Sequence, residues 1–205
     1  MGKELTDVLR TLPKPFLPQH IAAMSGAVGT VQHEGQATRY HLPRGWTLDE
    51  SQRVEAKNLL STFNSILNPG ATFNGQPAAD ARDALVTALL MGLAVGQGSE
   101  VAADARLDLF EMALDDMPAW SVAEAIRRWA RRECPPEIDK KPNYSFPPAP
   151  GVLRALAERE VAPYQRSVED LNKLLAAETI EEAMDPAPRR KPAIAQSTAP
   201  RLRSM

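Results

Sequence analysis

The sequence predicts an all-α fold: a small helical bundle with either a short hairpin or an irregular arm on its N-terminal side, and a disordered C-terminal tail. Three observations lead there. Apolar residues recur at helical spacing from about residue 46 to residue 183. Eighteen prolines are roughly twice the usual share of about 5%, and thirteen of them gather in three clusters that punctuate the chain. Hydrophobic residues at 43% and charged residues at 24% are ordinary for a chain that buries a core.

Residues 1–18 open as a short amphipathic segment with Val8 and Leu12 on one side, closed by Pro13, Pro15 and Pro18. Helical periodicity then fails over residues 28–42, where Gly26, Gly29 and Gly35 interrupt it and Val31 and Tyr40 flank a polar turn at Glu34-Gly35. Thr47-Leu48-Asp49-Glu50 has the pattern of a capping box. The helix it opens sets Ala56, Leu60, Phe63 and Leu67 in one stripe and stops at Asn68-Pro69-Gly70. Pro77 suits the first turn of a second helix. That helix is apolar nearly all round over residues 84–95, which predicts the central buried element, and Gly96-Gln97-Gly98 ends it.

Ser99 is placed to cap a third helix with Leu107, Phe110, Leu114 and Met117 on one face. Ser121-Val122-Ala123-Glu124 reads as a second capping box. In the helix that follows, Val122, Ala125, Ile126 and Trp129 fall in one arc, and Arg127, Arg128, Arg131 and Arg132 in the opposite one. Residues 134–150 form a proline-rich loop carrying Tyr144 and Phe146, whose length implies either packed extended chain or function. Helix resumes over residues 151–160, with Val152, Leu153 and Leu156 as core candidates. After Pro163 a last helix spans about residues 168–183, presenting Val168, Leu171 and Leu175. From Pro186 the chain holds prolines, Ser, Thr and five cations without an acid, too little apolar area to offset the entropy of ordering. The expected organisation is an N-terminal arm at 1–45, a helical core at 46–160, a C-terminal helix at 161–184 and a basic tail at 185–205.

A net charge of −2 excludes a globally basic nucleic-acid binder, though not a local basic patch. One cysteine, Cys134, makes neither an internal disulfide nor a cysteine-based zinc site, and fits a reducing cytoplasm. The longest apolar stretch, residues 84–95, is broken by Thr87 and Gly92 and falls short of the roughly 18–20 residues that span a bilayer. The first six residues match the loose myristoylation pattern, but a single acyl chain holds a membrane only marginally.

Signals for chemistry are sparse. His20, His33 and His41 lack a metal-ligand spacing on any predicted helix, so no metal is expected. Gly96-Gln97-Gly98 begins like a dinucleotide loop but lacks the third glycine and a preceding strand, and no P-loop is present; no cofactor is expected. Asp104, Asp108, Glu111, Asp115 and Asp116 lie near one helix without the Glu-x-x-His pairs of a bundle metal site, and read as a solvated face. Two features point instead to macromolecular partners. The arginine arc is suited to phosphate, and Arg189, Arg190, Lys191, Arg201 and Arg203 make the tail a candidate binding arm.

One stretch carries a family likeness. Residues 107–156 read as an apolar helix ending in Leu114-Asp115-Asp116-Met117-Pro118, then Trp120-Ser121-Val122-Ala123-Glu124-Ala125-Ile126 and Trp129. After a gap come Phe146-Pro147-Pro148 and Gly151-Val152-Leu153-Arg154. This order resembles the helical core of phage replicative-helicase loader/inhibitor proteins and of similar uncharacterised prophage proteins of Gram-negative bacteria. The resemblance implies a small helical domain and a mobile C-terminal segment that engages the host's hexameric replicative helicase in the bacterial cytoplasm. It implies no catalytic residues and no small-molecule substrate: such proteins hold the helicase inactive and deliver it to an origin-bound partner. The expected function is therefore a non-enzymatic replication adaptor, loader or inhibitor. The alternatives are a small nucleic-acid-binding regulator using the arginine face, or a phage inhibitor of a host system.

Overall fold

A computed structural model describes residues 12–32, 38–93 and 100–179. In chain order these form α1 (Gln19–Ala27), β1 (Gly29–Val31), β2 (Arg39–Leu42), α2 (Glu50–Leu67), α3 (Ala78–Gly92), α4 (Glu100–Leu114), α5 (Ala119–Ala130), α6 (Pro150–Ala176) and β3 (Glu178–Thr179). The fold is mostly helical, as the periodicity predicts, and the N-terminal side carries a hairpin rather than an irregular arm. β1 and β2 pair antiparallel with Gly29 opposite His41 and Val31 opposite Arg39. A Cβ at Gly29 would meet the His41 ring at 2.7 Å, so any larger residue there would have to displace that ring. β3 adds to β2 in parallel, His41 facing Glu178. Val8, His33, the glycines at 96 and 98, Ser99 and the tail from residue 180 lie outside the described residues.

The organising element is α6, and two expectations change with it. First, α6 is one helix of 27 residues with Pro163 inside it, where the sequence predicts two separate helices. A proline in a helix interior costs about 3 kcal/mol. Leu153, Leu156, Ala157 and Val161 before it and Tyr164, Leu171 and Leu174 after it form a continuous buried stripe. Each large apolar side chain in that stripe contributes about 1.5–3 kcal/mol when buried, so an unbroken helix wins. Second, the centre of the core is α6 and not the apolar helix α3. Only Ala78, Ala81, Val86 and Leu89 of α3 are buried, and Met91 is 83% exposed.

Helices α2 and α5 make the most extensive packing on α6, with α4, α1 and β2 filling in around them. Tyr164 sits at the junction, its ring edge-on to Phe63 of α2 at 5.8 Å and to Trp120 of α5 at 5.3 Å. Trp120 donates through Nε1 to the Ile66 carbonyl at the frayed end of α2, at 2.8 Å. Arg82 of α3 donates to the carbonyls of Pro69 and Met117 and so ties the α2–α3 and α4–α5 connections together. Between α2 and α3, Asn74 and Gly75 both take positive φ and form a tight turn in which Phe73 and Gln76 exchange backbone hydrogen bonds.

Both predicted capping boxes shift. α2 is capped by Asp49 with Gln52, not by Thr47 with Glu50: the Gln52 N–H donates to Asp49 Oδ1 at 2.8 Å and the Asp49 N–H donates to Gln52 Oε1 at 3.1 Å. The Gln52 N–H holds the Asp49 carboxyl below its ordinary value. α5 starts three residues earlier than predicted, after Pro118 and without a side-chain cap, so Ser121 lies buried inside the first turn and donates to the Pro118 carbonyl at 2.8 Å. Glu124 is thereby released for other partners.

Candidate functional site

Trp129 ends the buried arc of α5, 2% exposed, and anchors the proline-rich loop that follows. Its Nε1 donates to the Phe146 carbonyl at 3.1 Å, and its ring lies against Tyr144 at 4.8 Å. The Tyr144 hydroxyl accepts from the Cys134 N–H at 3.1 Å, which binds the far end of the loop to its start. Between these points the chain runs in short turns. Asn143 Oδ1 accepts from the Ser145 N–H, the Asn143 carbonyl accepts from the Phe146 N–H, and Asp139 Oδ1 accepts from the Lys141 N–H. Burial, reinforced by the charge of Asp139, pushes the Cys134 thiol up and away from the reactive thiolate.

The loop is thus a fixed platform, and what it presents is apolar. The Phe146 ring is 51% exposed although its backbone is pinned. It borders a groove of about 330 Å³ walled by Leu90 of α3, Leu109 and Phe110 of α4 and the run Pro147, Pro148 and Pro150, with Arg106 as a charged residue on the lining. Leu109 is itself 56% exposed. Met112 on the outer side of α4 is 77% exposed, extending the apolar character of this helix away from its buried face. Arg154, one turn into α6, fixes the neighbouring end of α4. It donates bidentately to Asp116 at 2.7 and 2.8 Å, to the Ala113 carbonyl at 2.7 Å and to Glu158 at 2.8 Å. The Arg154 guanidinium holds the Asp116 carboxyl below its ordinary value.

The arginine arc divides into two pairs. Arg127 donates in a fork to Glu124, and that carboxylate holds its guanidinium charged against partial burial. Arg128 lies 3.9 Å from Glu124 and 2.6 Å from Glu160 of α6, the latter close but poorly aligned for a hydrogen bond. Burial raises Glu160 above its ordinary value, with Arg128 pulling the other way. Arg127 is thus held within α5, and Arg128 alone links α5 to α6. Arg131 and Arg132 lie past the last helical residue, exposed, with no acid in salt-bridge range among the described residues. Their turn is a Schellman motif in which the Arg132 N–H donates to the Trp129 carbonyl and the Glu133 N–H to the Arg128 carbonyl, both at 2.9 Å. Arg132 takes the left-handed position at φ 62°, where glycine is the usual occupant.

Comparison with protein-family models, curated proteins and solved structures finds no match to this chain. Function therefore has to be argued from the site itself.

Among the described residues, His20 lies 2.9 Å from Glu55 and His41 packs over Gly29, and no group of three metal-ligating side chains gathers. No helix among the described residues is long and apolar enough to cross a membrane. Of the acids near α4, Asp116 is drawn into the Arg154 network, while Glu111 is raised by Asp83 beside it. Arg189, Arg190, Lys191, Arg201 and Arg203 lie outside the described residues. The groove residues Leu90, Leu109 and Phe110 are absent from the sites expected from sequence. The signal was present in α4: Leu109 and Met112 stand off the Phe110–Leu114 stripe, large apolar residues on a face that needs none.

Proposed function

We propose that this chain is a non-enzymatic adaptor of phage-type replication, a loader or inhibitor that grips a hexameric replicative helicase. One observation carries the proposal. The Phe146-Pro147-Pro148 run that contributes to the family resemblance is the same run that Trp129 and Tyr144 hold rigid with the Phe146 ring exposed over an apolar groove. A preorganised aromatic beside an apolar cleft is what a protein-binding anchor needs, because the ordering cost of association is already met in the free protein.

The test is direct binding to a purified bacterial replicative helicase. Truncating a central aromatic anchor costs about 2 kcal/mol or more, so Phe146→Ser should weaken binding about 30-fold, and Leu109→Asp similarly, with unchanged far-UV circular dichroism. Absence of binding by the unaltered chain, or equal affinity in both variants, refutes the proposal.

A second reading, nucleic-acid contact, has its own observation: Arg132 is kept in a strained position that glycine would fill more easily, and no acid among the described residues lies in salt-bridge range of it. Of the four arginines of the arc, Arg131 and Arg132 are the two with no acid in salt-bridge range among the described residues. Each neutralised phosphate contributes about 0.9 to the salt slope on duplex DNA, so two give a slope near −1.8. Charge reversal at both positions should abolish it.

A further inference from the structure

The groove beside Phe146 presents side chains and almost no backbone. Every N–H of the residues lining it is either absent or already spent. Pro147, Pro148 and Pro150 carry none. The Phe146 N–H donates to the Asn143 carbonyl, and Leu90, Arg106, Leu109 and Phe110 lie inside helices α3 and α4. The Phe146 carbonyl is taken by Trp129, and the Ala149 carbonyl by the Val152 and Leu153 N–H groups at the start of α6. An extended segment laid here would lose water from its carbonyls and gain no backbone donor, although strand-like recognition takes its affinity from such bonds. A helix arrives with its backbone already paired, so its apolar contacts are not offset by unmade hydrogen bonds.

Arg106 sets the charge of whatever enters. It is the one charged side chain among the described residues that line the groove. On α4 the positions three and four residues to either side hold Ala102, Ala103, Leu109 and Phe110, so no neighbour on the helix supplies an acid. No acid among the described residues lies in salt-bridge range of it either. Covering the groove takes water from this guanidinium, an unfavourable step unless the incoming surface brings a carboxylate. Arg106, Leu109 and Phe110 follow the i, i+3, i+4 spacing of one helix face, so the cation sits one turn from the apolar wall. The matching carboxylate therefore belongs one turn from the apolar anchors of the occupant.

We propose that the element this groove receives is an amphipathic helix of a partner protein, laying two apolar side chains against Phe146 and Leu109 and one Asp or Glu, a turn away, on Arg106. The inference rests on the reading of this groove as a protein-binding anchor and names the kind of element that fills it.

Fluorescence anisotropy on the full chain tests this with a panel of side-chain-stapled helical peptides about 16 residues long. Each carries two leucines spaced i, i+3 or i, i+4 and a single Glu one turn to either side of them. A second panel has Lys in place of the Glu, and a third keeps the Glu but has a central proline and no staple. At least one Glu helix should bind, and its Lys counterpart should bind about tenfold more weakly. Arg106→Gln should level the two and Arg106→Glu should reverse their order, both with an unmoved urea midpoint because the position is exposed. Phe146→Ser should weaken the Glu helix, and the proline peptides should not saturate. Failure of every Glu helix to bind overturns the proposal, as does equal affinity for Glu and Lys helices, an order that survives Arg106→Glu, or tightest binding by a proline peptide. None of these readouts uses the helicase. A helicase that binds through Phe146 while every helix fails would sink this inference alone. Helices that bind as expected while the helicase does not would remove only the helicase as partner.

Discussion

Replacing Trp129 by alanine tests whether the proline-rich loop is pinned to the core as described. The indole is 2% exposed, lies tilted against Tyr144 and donates to the Phe146 carbonyl. Truncating a buried tryptophan costs about 3–5 kcal/mol. Within that total, the aromatic pair contributes about 0.5–1.5 kcal/mol and the hydrogen bond about 1 kcal/mol. With a urea dependence of about 2 kcal/mol per molar, the unfolding midpoint should fall by about 2 M. The assay is equilibrium unfolding followed by far-UV circular dichroism, since the substitution removes a fluorophore. Trp129→Phe keeps a ring in the cavity but loses the donor, and should fall between the two, about 1–2 kcal/mol below the unaltered chain. The alanine variant should also weaken the partner binding attributed to Phe146 in the fraction that remains folded, because the platform beneath that ring is gone. A loss below about 1 kcal/mol for Trp129→Ala, or no difference between Trp129→Phe and the unaltered chain, would refute the anchoring.

Three further outcomes follow from the same contacts. Arg154→Lys retains the charge but cannot serve Asp116, Glu158 and the Ala113 carbonyl at once, so it should cost about 1–2 kcal/mol, a fall of about 2–6 °C in Tm by calorimetry. Arg132→Gly relieves the left-handed strain and should leave stability unchanged or raise it by up to about 1 kcal/mol, a sign rarely seen for loss of a side chain and readable in the urea midpoint. Glu160 has a folded value raised above its ordinary 4.5, so the folded state holds a proton that the unfolded chain has released. Its contribution to stability is greatest below pH 4.5 and is lost as pH rises through the raised folded value. Asp116, lowered from 3.8, runs the other way, contributing above that value and losing its contribution on acidification. Glu160→Gln should therefore flatten the decline in stability with rising pH above 4.5, measured as urea midpoints in a pH series.

Helix positions were legible where one face is apolar and the other is not. Val122, Ala125 and Trp129 are buried as the arc on α5 requires, and Phe110 and Leu114 as the stripe on α4 requires. Where the pattern is degenerate, it misleads. Thr47-x-x-Glu50 and Asp49-x-x-Gln52 overlap, and only the second is used. Residues 84–95 are apolar on every side, so their composition cannot say which face is covered; the structure covers the Val86 and Leu89 side and leaves Met91 out. Pro163 reads as a breaker because a local rule sees only the missing N–H. The tertiary term, a stripe running through it from Leu153 to Leu174, is spread over 22 residues and is larger. The groove beside Phe146 was out of reach for a related reason. Its walls come from α3, α4 and the proline-rich loop, spread from Leu90 to Pro150, and no local pattern joins them.

Pairing of charges also bears on which surface is free to bind. Four arginines on one helix face suggest a single electrostatic patch, yet Arg127 is paired with Glu124 of its own helix and Arg128 with Glu160 of α6. Removing either acid would leave a partly buried cation short of a partner, so these residues cannot be given to an outside phosphate without loosening the core. The apolar groove carries no such penalty. Phe146 and Leu109 are already exposed, their backbones are held by Trp129 and by α4, and covering them costs the fold nothing. Helix α6, about 40 Å long, starts at this groove with Pro150 and continues past Glu160 and Tyr164, so the groove is built on the element that organises the core. A partner that grips the Phe146 end meets a frame in which Arg127 and Arg128 are already committed to acids, and this favours apolar recognition over phosphate recognition as the primary event.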